Sequence, residues 1–453
     1  MTNDKKGRGR FLIGNLSFEI CHSRSGQSLI EVVIGLAIGS ILIGAAAFAI
    51  STMLQTNLAA QKGQAAAALA QELLNKAKAY GSANWQNLYG LSKSSSTQYF
   101  LNASGTAYFV VQGKEGVLDN DVTSGIFGQW KFDEDAASTS TITYDASGNG
   151  NYGTLISNPV RATSTCKLSN CLSFDGTNYV QIGGQTTLGT TNQPYSISLW
   201  FKANSVAGGV LLHMAGAANG LGWCLPTMGF TSTGQLSVQN WNNGSVSATA
   251  VNVTPTGQWI NAVETWDATG GLQLYANGAL AAATPMAGYT ASGASNYIWP
   301  AWGATALWCS TGQITKVNFN GSIDDVRVYN RALSADEVRQ LWNSNVFTRY
   351  FYVENVCRTS DASSSISGVA PCGGGSGDDP STQKVTSVVQ WVTGAGAGIT
   401  TLSDYLTRWK NVIFLQNDWS GGPGASGPVT TPGNTFASSS DVNYSKGIRI
   451  QGL

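Results

Sequence analysis

The chain is short of charge, and shorter still of histidine. Of its 453 residues only 11% are Asp, Glu, Lys or Arg, and only two are histidines, His22 and His213. So few imidazoles exclude a multi-histidine metal centre and leave a single possible base for a Ser or Cys nucleophile. His213 stands in Val210-Leu211-Leu212-His213-Met214, a context that predicts a strand residue rather than a catalytic one. No basic stripe is present, which speaks against nucleic acid as a partner. No C-x-x-C occurs among the seven cysteines, and their spacing fits zinc poorly. Gly, Ser, Thr and Asn are abundant instead, the composition of an extracytoplasmic β-rich chain with many turns. The length allows two or three domains.

Against this background one apolar run stands out. Leu29–Ile50 is 22 residues long and carries one charge, Glu31. At about 1.5 Å per residue a helix of that length just crosses a bilayer core of roughly 30 Å. A carboxylate near its start is expensive and asks for a functional reason. Lys5, Lys6, Arg8, Arg10 and Arg24 precede the run against only Asp4 and Glu19, an excess that holds the N-terminus in the cytoplasm. A secretory signal would place its small cleavage residue after the apolar core, whereas here Gly26 comes before it. A plain membrane anchor leaves Glu31 unexplained. Beyond Ile50 the sequence is rich in alanine and free of proline, which predicts helix to about Tyr80, with a stop at Gly81-Ser82.

Gly26, Ser28, Leu29, Ile30 and Glu31 closely resemble the type IV prepilin signature, with Gln27 standing where that family usually has Phe or Met. The resemblance implies a leader at 1–26 and cleavage between Gly26 and Gln27 by a prepilin peptidase. It also implies N-methylation of Gln27, and pairing of Glu31 with the terminal amine of a neighbouring subunit during filament assembly. Loss of the leader takes five basic and two acidic residues, leaving 20 against 23, a net charge of −3. Cys21 goes with it.

The runs Thr106–Gln112, Phe347–Glu354, Lys384–Trp391 and Thr400–Trp409 read as strands of an antiparallel sheet packed on the N-terminal helix. Between the first two lies a stretch holding ten of the 14 tryptophans. The expected organisation is therefore α+β. A pilin helix at 27–80, membrane-spanning over 29–50, packs on a discontinuous head at 81–126 and 346–453, with an inserted all-β domain at 127–345. Within the head, 360–381 reads as a loop and 417–447 as turn-rich chain.

Six segments of the insert resemble, in order, a laminin G-like (concanavalin-like) jelly roll. They are Trp130–Asp133, Asp145–Gly153, Leu172–Val180, Tyr195–Phe201, Leu274–Gly278 and Phe319–Ser334. Each also makes local sense: Ser196-Ile-Ser-Leu-Trp alternates with period two, Asn277-Gly278 is a hairpin turn, and Ser334 with Glu337 is a capping box. In such a roll the first and last strands lie side by side, so the domain can sit in a loop of its host.

Six cysteines outside the leader admit many connectivities, and their placement suggests Cys166 with Cys171, Cys224 with Cys309, and Cys357 with Cys372. Some concanavalin-like sandwiches are glycosidases and present Glu-x-Asp-x-x-Glu on one strand, a motif absent here. Glu264 and Asp267, three apart, point to opposite faces of a strand, and Asp133-Glu134-Asp135 reads as a solvated turn. The chain is accordingly expected not to be an enzyme. Trp200, Trp259 and Trp266 read as core. Trp223, Trp241, Trp299 and Trp302 lie among Gly, Asn and Pro, where loops would display flat rings to a glycan or another cell's surface. Trp308 does too, although it and Trp223 flank the suggested 224–309 bridge. No cofactor is required. Calcium often accompanies the resembled family, which makes Asp145, Asn149 and Asp325 candidate ligands.

These readings predict a minor type IV pilin, a single-pass protein of the cytoplasmic membrane before assembly and exposed on the extracellular pilus afterwards. Its partners are other pilin subunits, the peptidase and assembly machinery, and glycans or a host surface. The alternatives are a pseudopilin of type II secretion and a surface-anchored carbohydrate-active enzyme. Replacing Glu31→Ala is expected to leave membrane insertion intact and to reduce incorporation into filaments. The ratio of subunit in sheared filaments to subunit in membranes measures this.

Overall fold

The computed structural model describes residues 29–186, 192–205, 209–215, 224–242, 244–250, 256–289, 296–302, 314–359, 365–373, 377–393 and 396–408. The leader with Gly26 and Gln27, Trp223, Trp308, Cys309 and the segment 417–447 lie outside them.

Helix α1 covers Leu29–Ala83, 55 residues. Residues 29–60 form one unit, and an 18-residue window of this helix has a mean hydropathy of 2.5 with none of it buried. Three of its hydroxyls are satisfied within the helix: Ser40 Oγ donates to the Ala37 carbonyl at 2.8 Å, and Thr52 and Thr56 do the same to Ala49 and Met53. Such back-bonding removes the cost of a polar group facing lipid. The helix runs to Ala83, one residue past the expected stop at Gly81-Ser82. Gly81 is buried, and a Cβ there would come within 2.2 Å of Leu88 Cδ1, so this glycine lets the next turn fold back closely. The break comes at Asn84, whose side chain accepts from the Gln86 amide and starts α2, Trp85–Tyr89.

From Gln61 onward the chain is a second unit. Its head sheet runs in the order Ala107–Gln112, Tyr99–Ser104, Val346–Arg358, Gly377–Thr393, Gly396–Thr407, all antiparallel. The four strands expected from the sequence are present. Tyr99–Ser104 joins them, while Glu115–Leu118 and Ile366–Val369 also pair with Val346–Arg358. The segment 360–381 is thus not wholly loop, because its middle adds a short strand and Gly377 already belongs to a long one. Leu73, Leu74 and Ala77 of α1 pack on Phe351, Val353 and Val385, and Ala66 and Ala70 on Phe347 and Val389.

Two further sheets, each of eight strands among the described residues, face one another across a continuous apolar core. One, the base sheet, has Tyr195–Ala203 between Ile260–Asp267 and Asn320–Tyr329. In it the opening strand Ile126–Trp130 pairs with the closing strand Asn320–Tyr329. The other, the face sheet, runs Ser245–Thr249, Leu236–Trp241, Cys224–Phe230, Gly209–Ala215, Asn296–Pro300, Tyr179–Thr186, Gly153–Ile156, Ile142–Thr143. Asn277 (φ 49°) and Gly278 (φ 77°) make the expected tight hairpin turn. A Cβ on Gly278 would meet the Trp342 ring at 2.9 Å. Ser334 and Glu337 cap helix α3, Ala335–Asn343, reciprocally. That helix lays Val338 and Leu341 on the outer side of the base sheet with Trp200, Val263 and Tyr329.

Disulfides join Cys166 to Cys171 and Cys357 to Cys372, each with Cα atoms 5.5 Å apart.

Head and sandwich meet at buried charges. Glu115 accepts from Lys131 Nζ and from Arg349 Nε, both at 2.6 Å, and Arg349 Nη1 lies 3.2 Å from Glu72 of α1. Burial alone would raise the Glu115 pKa, but Arg349 and Lys131 outweigh it and hold the carboxyl well below the usual range. Asp133-Glu134-Asp135 is no solvated turn. Asp133 accepts the Gly116 and Asn170 amides, and Glu134, 4% exposed, pairs with Arg161 at 2.8 Å. Removing one member of such a buried set strands its partner. Glu115→Leu is expected to cost about 3–5 kcal/mol, and Glu115→Leu with Arg349→Met markedly less. Urea unfolding of the two variants in detergent checks the difference.

Candidate functional site

The outer side of the base sheet is covered by α3 and residues around Leu118 and Val122, which leaves the outer side of the face sheet for a ligand. Strand alternation decides what that side shows. Leu212, Met214, Met228, Leu236, Val238, Ala248 and Ile298 point into the core. Apart from Leu211, which the bulge between Val210 and Leu212 also turns into the core, their neighbours point outward.

Pairing registers place Ser247, Gln239, Thr227, His213 and Trp299 in one row across five strands. At about 4.8 Å per strand the row is about 19 Å long. At its Trp299 end the rings gather. Trp299 and Trp302 have centroids 4.6 Å apart, Trp302 stacks on Tyr179 at 5.2 Å and 26°, and Trp299 lies 6.3 Å from Tyr297. The His213 ring is stacked on Trp299 at 6.3 Å and 16° and lies 5.2 Å from Trp302. Gln239, Thr227, His213 and Trp299 of the row are buried, whereas Ser247 and the rings of Tyr179, Tyr297 and Trp302 are half-buried.

His213 Nδ1 lies 2.8 Å from the Trp302 carbonyl oxygen. A carbonyl only accepts, so Nδ1 carries the proton and Nε2 presents a lone pair. Nε2 and the Trp299 indole Nε1–H have no hydrogen-bond partner among the described residues. Burial pushes the His213 pKa down to about 4, against a smaller upward pull from that carbonyl, so the ring is neutral at physiological pH.

Of the tryptophans read as displayed, Trp302 is half-buried in the cluster. Trp241 ends its strand, half-buried, on the same side of the sheet as Gln239. Trp299 corrects the expectation. It is a strand residue, 2% exposed, because the bend falls on Ala301 (φ 64°) after Pro300 and not on the tryptophan. Sequence reasoning missed Tyr179, Tyr297 and His213 as members, although their alternation with Val180, Ile298 and Met214 is the signal that carries them.

Two of the three calcium candidates have their carboxylate oxygens occupied by protein donors. Asp145, fully buried, accepts the Gln129, Ser147 and Asn151 amides, and Asp325 accepts Gln129 Nε2 and Arg327 Nε. Asn149 turns its amide to the Ile126 and Phe127 carbonyls, donating where a cation ligand would have to accept. No cluster of three or more His, Cys, Asp or Glu suited to a metal occurs among the described residues.

Trp200 and Trp266 are core as expected, with Trp259 partly buried beside Trp200. Glu264, in the strand Ile260–Asp267, points between the sheets. It accepts from Tyr195 OH at 2.7 Å, and that hydroxyl accepts from Asn240 Nδ2 at 2.9 Å. Burial raises its pKa to about 8. Asp267 ends the same strand on the other face, bonded to the Thr269 and Gly270 amides.

The comparisons with known proteins agree with this architecture. Residues 21–47 match the prokaryotic N-terminal methylation motif, and residues 174–339 match the concanavalin A-like lectin/glucanases superfamily. The chain carries a type IV pilin signature and a concanavalin A-like domain. No curated protein matches it. Among solved structures, domain 4 of the extracellular arabinanase AbnA from Geobacillus stearothermophilus, in complex with arabinotriose, is 19% identical with a TM-score of 0.33. That match covers 48% of this chain and 98% of the other. Trypanosoma rangeli sialidase is 14% identical over 49% of this chain and 33% of its own, with a TM-score of 0.35. The binding domain of Paraclostridial Mosquitocidal Protein 1 is 10% identical over 62% and 76%, at 0.37. Likenesses this slight bear no argument about function.

Because Glu264 holds its proton in the folded state up to about pH 8 but only to its ordinary 4.5 when unfolded, its contribution to stability falls as pH rises through that window and is flat above it. Glu264→Gln is expected to remove that loss, up to about 1.4 kcal/mol per pH unit. Thermal melts of the sandwich at pH 5, 6.5 and 8 test it.

Proposed function

We propose that this protein is a minor type IV pilin whose sandwich binds carbohydrate at the cell surface. One observation carries the reading: a methylation motif and an apolar helix on the same chain as a concanavalin A-like domain with a clustered aromatic face. In this reading the leader 1–26 is removed between Gly26 and Gln27 by the prepilin peptidase. The helix 27–80 waits in the cytoplasmic membrane and then enters the filament, with Glu31 beside a neighbour's terminal amine. In the low-dielectric core of packed helices an unpaired carboxylate is costly, so Glu31 selects the register that supplies a cation.

In the same reading the head, 81–126 with 346–453, packs on the C-terminal part of α1 and presents the insert 127–345. Its bulk favours a minority place in the filament, since closely spaced helices leave little room for so large an appendage on every subunit. The protein's own role is to bind and not to hydrolyse. Glu264 is enclosed between the sheets and Asp267 lies on the opposite face, so these two carboxylates do not flank a common substrate.

Half-exposed Trp302 is the residue to test, because it can be shortened without opening the core. Trp302→Ala is expected to leave filament assembly unchanged and to lower adhesion of the cells to glycan-coated surfaces at least tenfold. An unchanged adhesion, with the variant present on filaments, would remove the face sheet from the binding role.

A further inference from the structure

The face sheet holds no formal charge. None of its eight strands contains Asp, Glu, Lys or Arg, whereas the strands of the base sheet contain Arg161, Asp175, Lys202, Glu264, Asp267, Asp324, Asp325 and Arg327. The sequence around it is equally bare, with no charged residue from 203 to 263 or from 268 to 315. Two ions reach the far edge, where Thr143 bonds Glu134 and Arg161 donates to the Ile142 carbonyl, but these two pair with each other. Lys316 follows Thr315, whose amide bonds the Phe230 carbonyl. That is three residues along the strand from Thr227 of the row, about 10 Å away.

Resting on the carbohydrate-binding reading, we infer that the ligand of this face is an uncharged glycan, held by ring stacking and hydroxyl hydrogen bonds, and not a sialylated, uronic or sulfated one. An anionic sugar would lose its hydration and find no cation in return, a cost that stacking cannot offset. The two unsatisfied polar atoms in the cluster are complementary: His213 Nε2 accepts and Trp299 Nε1–H donates. A sugar hydroxyl does both. The half-exposed rings of Tyr179, Tyr297 and Trp302 offer faces to the C–H side of a pyranose.

Charge class is read by titrating the full-length protein in detergent micelles. The probes are neutral hexaoses (cello-, manno- and xylohexaose) on one side, with sialyllactose and oligogalacturonate on the other, at 50 and 500 mM NaCl. The inference expects binding to one or more neutral hexaoses, with a Kd that changes less than about twofold between the two salts. It also expects loss of at least tenfold in Trp302→Ala and partial retention in Trp302→Phe. Binding of the anionic sugars alone, weakened tenfold or more by salt, would overturn the charge class and leave carbohydrate recognition standing. Failure of every sugar to bind a chain that melts cooperatively would overturn both.

Discussion

Arg349 is buried in the middle of the head sheet, and its guanidinium cannot remain there uncompensated. Glu115 answers it from the short strand before the sandwich, and Glu72 from the helix. Glu115 in turn takes the ammonium of Lys131, just past the first sandwich strand. One set of ions thus touches every element that must stay in register: the helix, the head sheet and the inserted domain. Taking such charges out of water is costly, so the set selects a single arrangement more than it adds stability.

From that junction the sandwich inherits a division of labour between its sheets. The base sheet carries the charges, receives α3 and the residues around Val122, and is closed by Arg327 between Asp121 and Asp325. The face sheet carries none and gathers aromatic rings. Ions are thus buried on the side turned to the rest of the protein, and the opposite side is left neutral.

Several features were legible in the sequence because their cause is local. A glycine before an apolar run with one glutamate specifies the N-terminus. Asn277-Gly278 needs positive φ at two successive residues, Ser334 and Glu337 cap each other, and the cysteine pairs 166–171 and 357–372 are close along the chain. Where the cause is not local the reading fell short. Gly81 marked the end of the helix to within two residues, but its reason is distant: Leu88 returns there to touch α1. Asp133-Glu134 looked solvated, yet Arg161 and the amides of Gly116 and Asn170 bury it.

The amino-acid order by itself determined that a membrane-length helix with an N-terminal methylation motif precedes a β-rich chain, since periodicity, composition and turn chemistry act within a few residues. It also determined that a long stretch of that chain would be without charge. Only the tertiary structure decided that Tyr179, His213, Tyr297, Trp299 and Trp302 share one face. Strands distant in sequence come into register only when the two sheets close on their common core, and that closure turns scattered rings into a surface.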